Sequence, residues 1–148
     1  LTTELETAWK KYFRPDAPDL YPEALHDDID ALNDIIYADV NLAVNLAALV
    51  TSQKDYEFYY NKVFDRLDWL EKRLSSRRYL FGDTITDPDI RLYVTLARFD
   101  LVFYQKYYVN KKRLVDYPNL WNYAKDLIPI RPLERIRILT PCASVFIM

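Results

Sequence analysis

Few residues in this sequence are of a type that does covalent or acid–base chemistry. Its 148 residues include one cysteine, Cys142, one histidine, His26, and one glycine, Gly82. A thiol becomes a nucleophile when a helix N-terminus or a nearby cation lowers its pKa. Cys142 lies in a proline-broken stretch, precedes Ala143, and has Arg137 as its nearest cation in sequence. It reads as a thiol without activation, and a single cysteine excludes an internal disulfide framework. His26 stands beside Asp27 and Asp28 near the start of a helical stretch, where a surface position is expected. No set of His, Cys and carboxylate residues has zinc-ligand spacing. One glycine cannot build a phosphate-cradling loop, and no serine stands in a nucleophile-elbow string. Asp87 and Asp89 are the right type for a cation, but their spacing is better read as a helix start.

Phenols are the more plentiful resource, with 13 tyrosines in the chain. Tyrosine brings apolar bulk with a polar tip that seeks a hydrogen bond when buried. So many tyrosines imply broad helix interfaces or a polar aromatic pocket, and interfaces are the first expectation. The run from Tyr104 to Arg113 interleaves aromatics with Lys106, Lys111, Lys112 and Arg113. Such a patch can stack on bases and touch phosphates. It is read here as a helix end with cations at its negative pole, because the formal net charge of the chain is −2. That balance gives no pull toward nucleic acid or anionic lipid.

The elements that must position these groups are helical. Hydrophobic residues make up 51% and charged residues 28% of the chain, a globular composition that suits one domain. A sandwich or barrel needs many glycine-bearing turns, so one glycine favours long helices. No stretch of ~20 uninterrupted apolar residues is present, and no membrane span is expected. No signal peptide is visible.

Leu5, Ala8, Trp9 and Tyr12 fall on one face of a short helix over 1–13, and Pro15 and Pro18 break it. A first long helix is expected from Pro22, with Leu25, Ile29, Leu32, Ile36, Val40, Ala43 and Ala47 at helical spacing. Beyond Val40 it becomes apolar nearly all round and should be buried, with Asn41 and Asn45 on one face. Ser52 is expected to cap a second long helix with the stripe Tyr56, Tyr59, Tyr60, Val63, Phe64, Leu67, Leu70 and Leu74. The opposite face, Asp65, Arg66, Asp68, Glu71, Lys72 and Arg73, reads as solvated. Gly82 makes the next turn. A third long helix starts at Thr86 and runs to about Tyr108, a helical turn is expected over 111–115, and Pro118 opens a last helix to about Leu127. The expected organisation is an N-terminal helix and linker over 1–19, a helical domain over 20–128, and an irregular tail over 129–148 broken by Pro129, Pro132 and Pro141.

The sharpest local signal is Thr86-Asp87-Pro88-Asp89. The Thr86 hydroxyl can accept the Asp89 N–H while the Asp89 carboxylate reaches back to the Thr86 N–H, a capping box. Ile85 and Ile90 are placed to form a hydrophobic staple around it.

These residues carry a resemblance. Tyr79-Leu80-Phe81-Gly82-Asp83, the cap Thr86 to Asp89, Asp89-Ile90-Arg91-Leu92-Tyr93, Arg98-Phe99-Asp100 and Asp116-Tyr117-Pro118-Asn119-Leu120-Trp121 resemble the C-terminal helical domain of glutathione transferases. The closest likeness is to the Xi class, the glutathionyl-hydroquinone reductases. Leu20-Tyr21-Pro22-Glu23 and Ile29-Asp30-Ala31-Leu32-Asn33 extend it upstream. The resemblance implies an all-α, glutathione transferase C-terminal-like bundle. It also implies a thioredoxin-like domain outside this chain that binds glutathione as co-substrate and carries the cysteine nucleophile. The helical domain then supplies the wall for a hydrophobic or aromatic acceptor, and the dimer contact, in a cytoplasmic protein. By alignment and helix position, the candidate acceptor residues are Asn45, Phe103, Tyr104 and Tyr107. The class places pocket tyrosines where this chain has Asn45, Phe103 and Ile128. Taken alone the chain is expected to have no glutathione-dependent activity. The other reading is a helical interaction module that works without catalysis.

Overall fold

The computed structural model describes residues 4, 7–13, 15 and 17–128; the expected tail with Cys142, and Leu5 of the N-terminal stripe, lie outside them. The described residues are helical, with no strand beyond an isolated antiparallel bridge between Tyr79 and Gly82. No helix among them is long and apolar enough to cross a membrane. The chain makes a 3-10 turn over Glu23–Leu25, helix α1 over His26–Ile36, a π-helical turn over Tyr37–Asn41, and helix α2 over Ala43–Leu49. Helix α3 covers Gln53–Arg73, α4 covers Asp87–Leu96, a second π-helical stretch covers Phe99–Tyr104, a 3-10 turn covers Leu114–Asp116, and α5 covers Pro118–Leu127.

The core follows the apolar spacing. Leu32, Ile36 and Val40 from the first run share one buried cluster with Val63, Phe64, Leu67 and Leu70 of α3, and Leu92, Leu96, Phe99, Leu120 and Leu127 close it; Ile29 is buried as well. α2 packs along α3, α4 lies against α1, and α5 leans on both α3 and α4. Three expectations are corrected. Pro22 stands outside the helix, which opens with a 3-10 turn. Ser52 occupies the cap position of α3 without a side-chain hydrogen bond. Leu42 and Ala48 are exposed and Leu49 is 74% exposed, so α2 buries only one face, Ala43, Val44 and Ala47. The N-terminal stripe is also open to solvent at Trp9 and Tyr12.

The charged face of α3 is not simply solvated. Lys62 Nζ meets Asp39 at 3.0 Å, and Arg66 donates to the same carboxylate at 2.9 and 2.6 Å, tying the first π-helical turn to α3. The Glu71 carboxylate accepts the N–H groups of Asn119 at 2.9 Å and Leu120 at 2.8 Å. These are orphan donors at the start of α5, which Tyr117 leaves without a side-chain cap. Arg73 donates to the Leu80 carbonyl at 3.0 Å and its guanidinium lies over Trp69 and Phe81.

Burial pushes the Asp39 carboxyl up, but the hydrogen bonds from Lys62 and Arg66 outweigh it and hold the group below its ordinary value. A depressed carboxyl stabilises the fold above its unfolded pKa, and that contribution disappears as pH falls through the folded value. Asp39→Asn is expected to cost about 1 kcal/mol at neutral pH. The difference from wild type should begin to shrink below about pH 4 and vanish in stronger acid. Urea midpoints across that range check it; a gap independent of pH would rule out the charge as its source.

Candidate functional site

The Thr86–Asp89 turn organises the centre of the fold. At the start of α4 one half of the expected capping box is formed, the Asp89 carboxylate reaching back to the Thr86 N–H, while the Asp89 N–H bonds the Thr86 carbonyl at 3.0 Å instead of its hydroxyl. The Asp89 carboxylate accepts from the Leu80 N–H at 3.0 Å, the Thr86 N–H and hydroxyl at 2.8 Å each, and the Tyr123 hydroxyl at 2.8 Å. It therefore joins the Gly82 turn, α4 and α5 in one buried knot. Burial pushes its carboxyl above the ordinary range against the pull of these donors. Gly82 sits at φ 117°, a left-handed conformation that side chains rarely adopt. Ile85 and Ile90 are half-buried on either side of the cap, Ile85 against the core. Asp87 is also committed: it accepts from Asn33 Nδ2 at 2.9 Å and pairs with Arg91 at 2.8 Å. These two carboxylates serve the helix start, and no group of three or more metal-ligating side chains is gathered among the described residues.

Above this anchor, α4 turns into the second π-helical stretch, as α1 turns into the first. π-helical turns recur at functional sites because the extra residue re-aims side chains. The first is tied to α4: Thr95 donates to Asn41 Oδ1 at 2.7 Å, and Asn41 Nδ2 donates to the Arg91 carbonyl at 3.4 Å. Asn45 Nδ2 donates to the Asn41 carbonyl at 2.7 Å. The Asp100 carboxylate accepts the Leu114 N–H at 2.8 Å, which closes the segment carrying Phe103 to Arg113 into a fixed loop. Burial raises the Asp100 carboxyl.

A cleft of about 480 Å³ opens beyond these turns, lined by Asn45, Ala47, Ala48 and Leu49 of α2, Tyr56 of α3, and Lys106, Tyr107 and Tyr108. The structure thus brings Asn45 and Tyr107 together at one cleft. Phe103 is not part of that wall: it is 5% exposed and packs between Phe99 and Tyr107. Tyr104 lies outside the lining, half-buried, with the Arg113 guanidinium 5.3 Å from its ring centre. Ile128 is half-buried at the end of α5, and His26 is half-buried rather than on the surface, stacked on Tyr21 at 3.9 Å.

Sequence reading missed Tyr56, Lys106 and Tyr108 as cleft residues. Tyr56 lies on the core stripe of α3 by spacing, yet its hydroxyl reaches out to the Tyr108 carbonyl at 2.7 Å. Tyr108 is the one non-glycine residue at positive φ among the described residues, at 58°. Its neighbour Val109 donates to the Phe103 carbonyl at 3.0 Å, so both polar groups of the peptide bond that follows the strained residue are held. Asparagine tolerates this conformation better than tyrosine. Tyr108→Asn is therefore expected to stabilise the fold by about 1 kcal/mol, raising Tm by about 2–4 °C. An unchanged or lower Tm in thermal denaturation would show that the Tyr108 ring repays its strain within the fold.

Residues 53–126 match the family described as glutathione S-transferase, C-terminal domain. The chain is 44% identical over 111 residues to the glutathionyl-hydroquinone reductase YqjG of Escherichia coli, covering 75% of this chain and 34% of that protein. It is 41% identical over 102 residues to the glutathionyl-hydroquinone reductase PcpF of Sphingobium chlorophenolicum, covering 69% of this chain and 33% of that one. The solved glutathione-bound structure of YqjG, described as a glutathione transferase homologue, superposes with a TM-score of 0.84 at 38% identity, covering 90% of this chain and 43% of that chain. The chain therefore spans about a third of the length of the curated relatives it matches.

Proposed function

Because this chain belongs to the glutathione S-transferase C-terminal domain family, we propose that it is the acceptor-binding helical domain of a glutathionyl-hydroquinone reductase-like enzyme. The observation that carries this is its alignment to about a third of the length of two reductases at 41 and 44% identity. In this reading glutathione is bound mainly by a thioredoxin-like domain outside the chain. The helical domain gives the hydrophobic or aromatic acceptor a wall, with Asn45 and Tyr107 at the cleft and Phe103 and Tyr104 acting from behind it. The enzyme works in the cytoplasm as a homodimer. The exposed Tyr37, Phe58 and Trp69, with cations stacked on the last two, are the apolar groups that such a contact would cover.

The test is a glutathione-dependent reductase assay on the purified 148-residue chain, together with the intact mass of the native polypeptide. The reading expects no turnover from the chain alone and a native polypeptide substantially heavier than it. Turnover by the chain alone would show that the glutathione site lies within it. A native mass equal to that of the chain would favour the second reading, a helical interaction module without catalysis. The exposed Leu49, Phe58 and Tyr37, at 74, 60 and 56% exposure, support that alternative as sites for a partner.

A further inference from the structure

The far end of α3 holds positive charge that the fold does not neutralise. Lys72, Arg73, Arg77 and Arg78 follow one another closely there, with Ser75 and Ser76 exposed between them. Arg78 is taken up by Asp126, at 2.8 and 3.1 Å. Arg73 and Arg77 form no ion pair among the described residues. Arg73 is held in place all the same. Its Nε donates to the Leu80 carbonyl at 3.0 Å, and its guanidinium lies over the rings of Trp69 at 5.3 Å and Phe81 at 5.4 Å. The rings fix the plane of the guanidinium, and the bond to Leu80 fixes its rotation in that plane. Its two Nη groups have no acceptor among the described residues. Burial, and then the charge of Arg77, hold the Arg73 guanidinium below its ordinary value, against a weaker pull from Asp89 and Asp28. The negative pole of α3 accounts for cations at Lys72 and Arg73, but Arg77 lies past the end of the helix. Two like charges kept side by side cost stability in the free protein. A fork already fixed, with donors unused, gives up little freedom on taking an oxyanion.

We propose that Arg73 and Arg77 form a binding site for a phosphate group carrying two negative charges, with the Arg73 fork on two of its oxygens and Arg77 matching the second charge. A carboxylate would be served by Arg73 alone and leave Arg77 idle. A planar guanidinium suits the paired oxygens of phosphate better than an ammonium does. Free phosphate and a phosphate monoester on another molecule share this chemistry. Neither arginine lines the cleft between α2 and α3, so the site goes beyond the reductase reading and stands or falls separately from it.

The experiment titrates the isotope-labelled 148-residue chain with inorganic phosphate, with N-acetyl-O-phosphoserine amide and with acetate, at constant ionic strength and on the alkaline side of the second phosphate ionisation. The Nε–H signals of Arg73, Arg77 and Arg78 locate binding. Phosphate should move Arg73 and Arg77 saturably and leave Arg78, which stays on Asp126. Acetate should do neither. Arg77→Gln should weaken phosphate about fivefold without lowering Tm. Arg73→Lys keeps the charge and loses the fork, and should weaken it about tenfold. That variant also gives up contacts inside the fold, so Arg77→Gln carries the test if its Tm falls. Lys54→Gln, at the other end of α3, is the charge-matched control and should bind phosphate as wild type does. Tighter binding of the phosphoserine amide than of inorganic phosphate assigns the site to a monoester on another molecule; the reverse order assigns it to free phosphate. Shifts that acetate reproduces, shifts that follow ionic strength alone, or an equal loss in Lys54→Gln overturn the site and leave these cations as partners of the α3 C-terminal pole.

Discussion

Replacing Asp89 with alanine is expected to cost about 4 kcal/mol of folding stability and to lower Tm by roughly 8–16 °C. The side chain is fully buried, and its two oxygens serve four donors from three parts of the chain. Two of these donors can turn elsewhere, because the Thr86 and Tyr123 hydroxyls rotate. The N–H groups of Leu80 and Thr86 cannot, and each buried donor left without a partner costs about 1–3 kcal/mol. Loss of a helix cap alone costs about 1 kcal/mol, so the distinguishing feature is the excess over that figure. The excess measures the link from the Gly82 turn to α5, not the start of α4. Asp89→Asn keeps one acceptor oxygen but turns an N–H₂ toward another donor, and should fall between. Tyr123→Phe removes one donor together with its demand, and should cost only about 1 kcal/mol. Urea denaturation of the three variants gives the order. If Asp89→Ala costs no more than Tyr123→Phe, the carboxylate is a local cap and nothing further.

Periodicity was a good guide to which apolar side chains enter the core. The stripes Ile29, Leu32, Ile36 and Val63, Phe64, Leu67, Leu70 are core because apolar groups at helical spacing have one place to go. The same logic failed on the other side of α3. Arg66, Asp68 and Glu71 look like a solvated face, yet they tie to Asp39, Lys112 and the start of α5, groups 27, 44 and 48 residues distant. Polarity tells that a side chain avoids an apolar core, not whether it meets water or an opposite charge. Leu49 shows the converse: its apolar type implied burial, but only one face of α2 has a neighbour to pack on. The site was half legible for a similar reason. Asn45 and Tyr107 follow from alignment to a family. Tyr56 and Tyr108 meet through a turn whose positive φ no local residue signals, since glycine and asparagine are absent from that position.

Phe99→Ala is expected to cost about 4 kcal/mol, within the range for emptying a phenylalanine site in a packed core. Phe99 is fully buried at the start of the second π-helical stretch. It is the middle of a run of rings that begins and ends at the cleft. From Tyr56 the contacts pass to Tyr60 at 5.5 Å, to Phe64 at 4.9 Å, across to Phe99 at 6.3 Å, then to Phe103 at 6.4 Å and Tyr107 at 5.6 Å. The Phe64–Phe99 contact, edge to face at 88°, carries the run from α3 to the segment after α4. Removing that ring has two consequences with separate readouts. The cavity and lost burial lower the denaturation midpoint with little change in the m-value. The loosened backing of Phe103 frees Tyr107, which should broaden its ring signals and weaken aromatic probes at the cleft. Phe99→Leu separates the two, since it keeps much of the volume and should cost less than about 1.5 kcal/mol. It removes the edge-to-face contact all the same, so Tyr107 should still loosen. Rigid Tyr107 signals in Phe99→Leu, with normal probe binding, would show that volume alone holds the cleft wall. Mobile signals at near-native stability would show that the run of rings positions it.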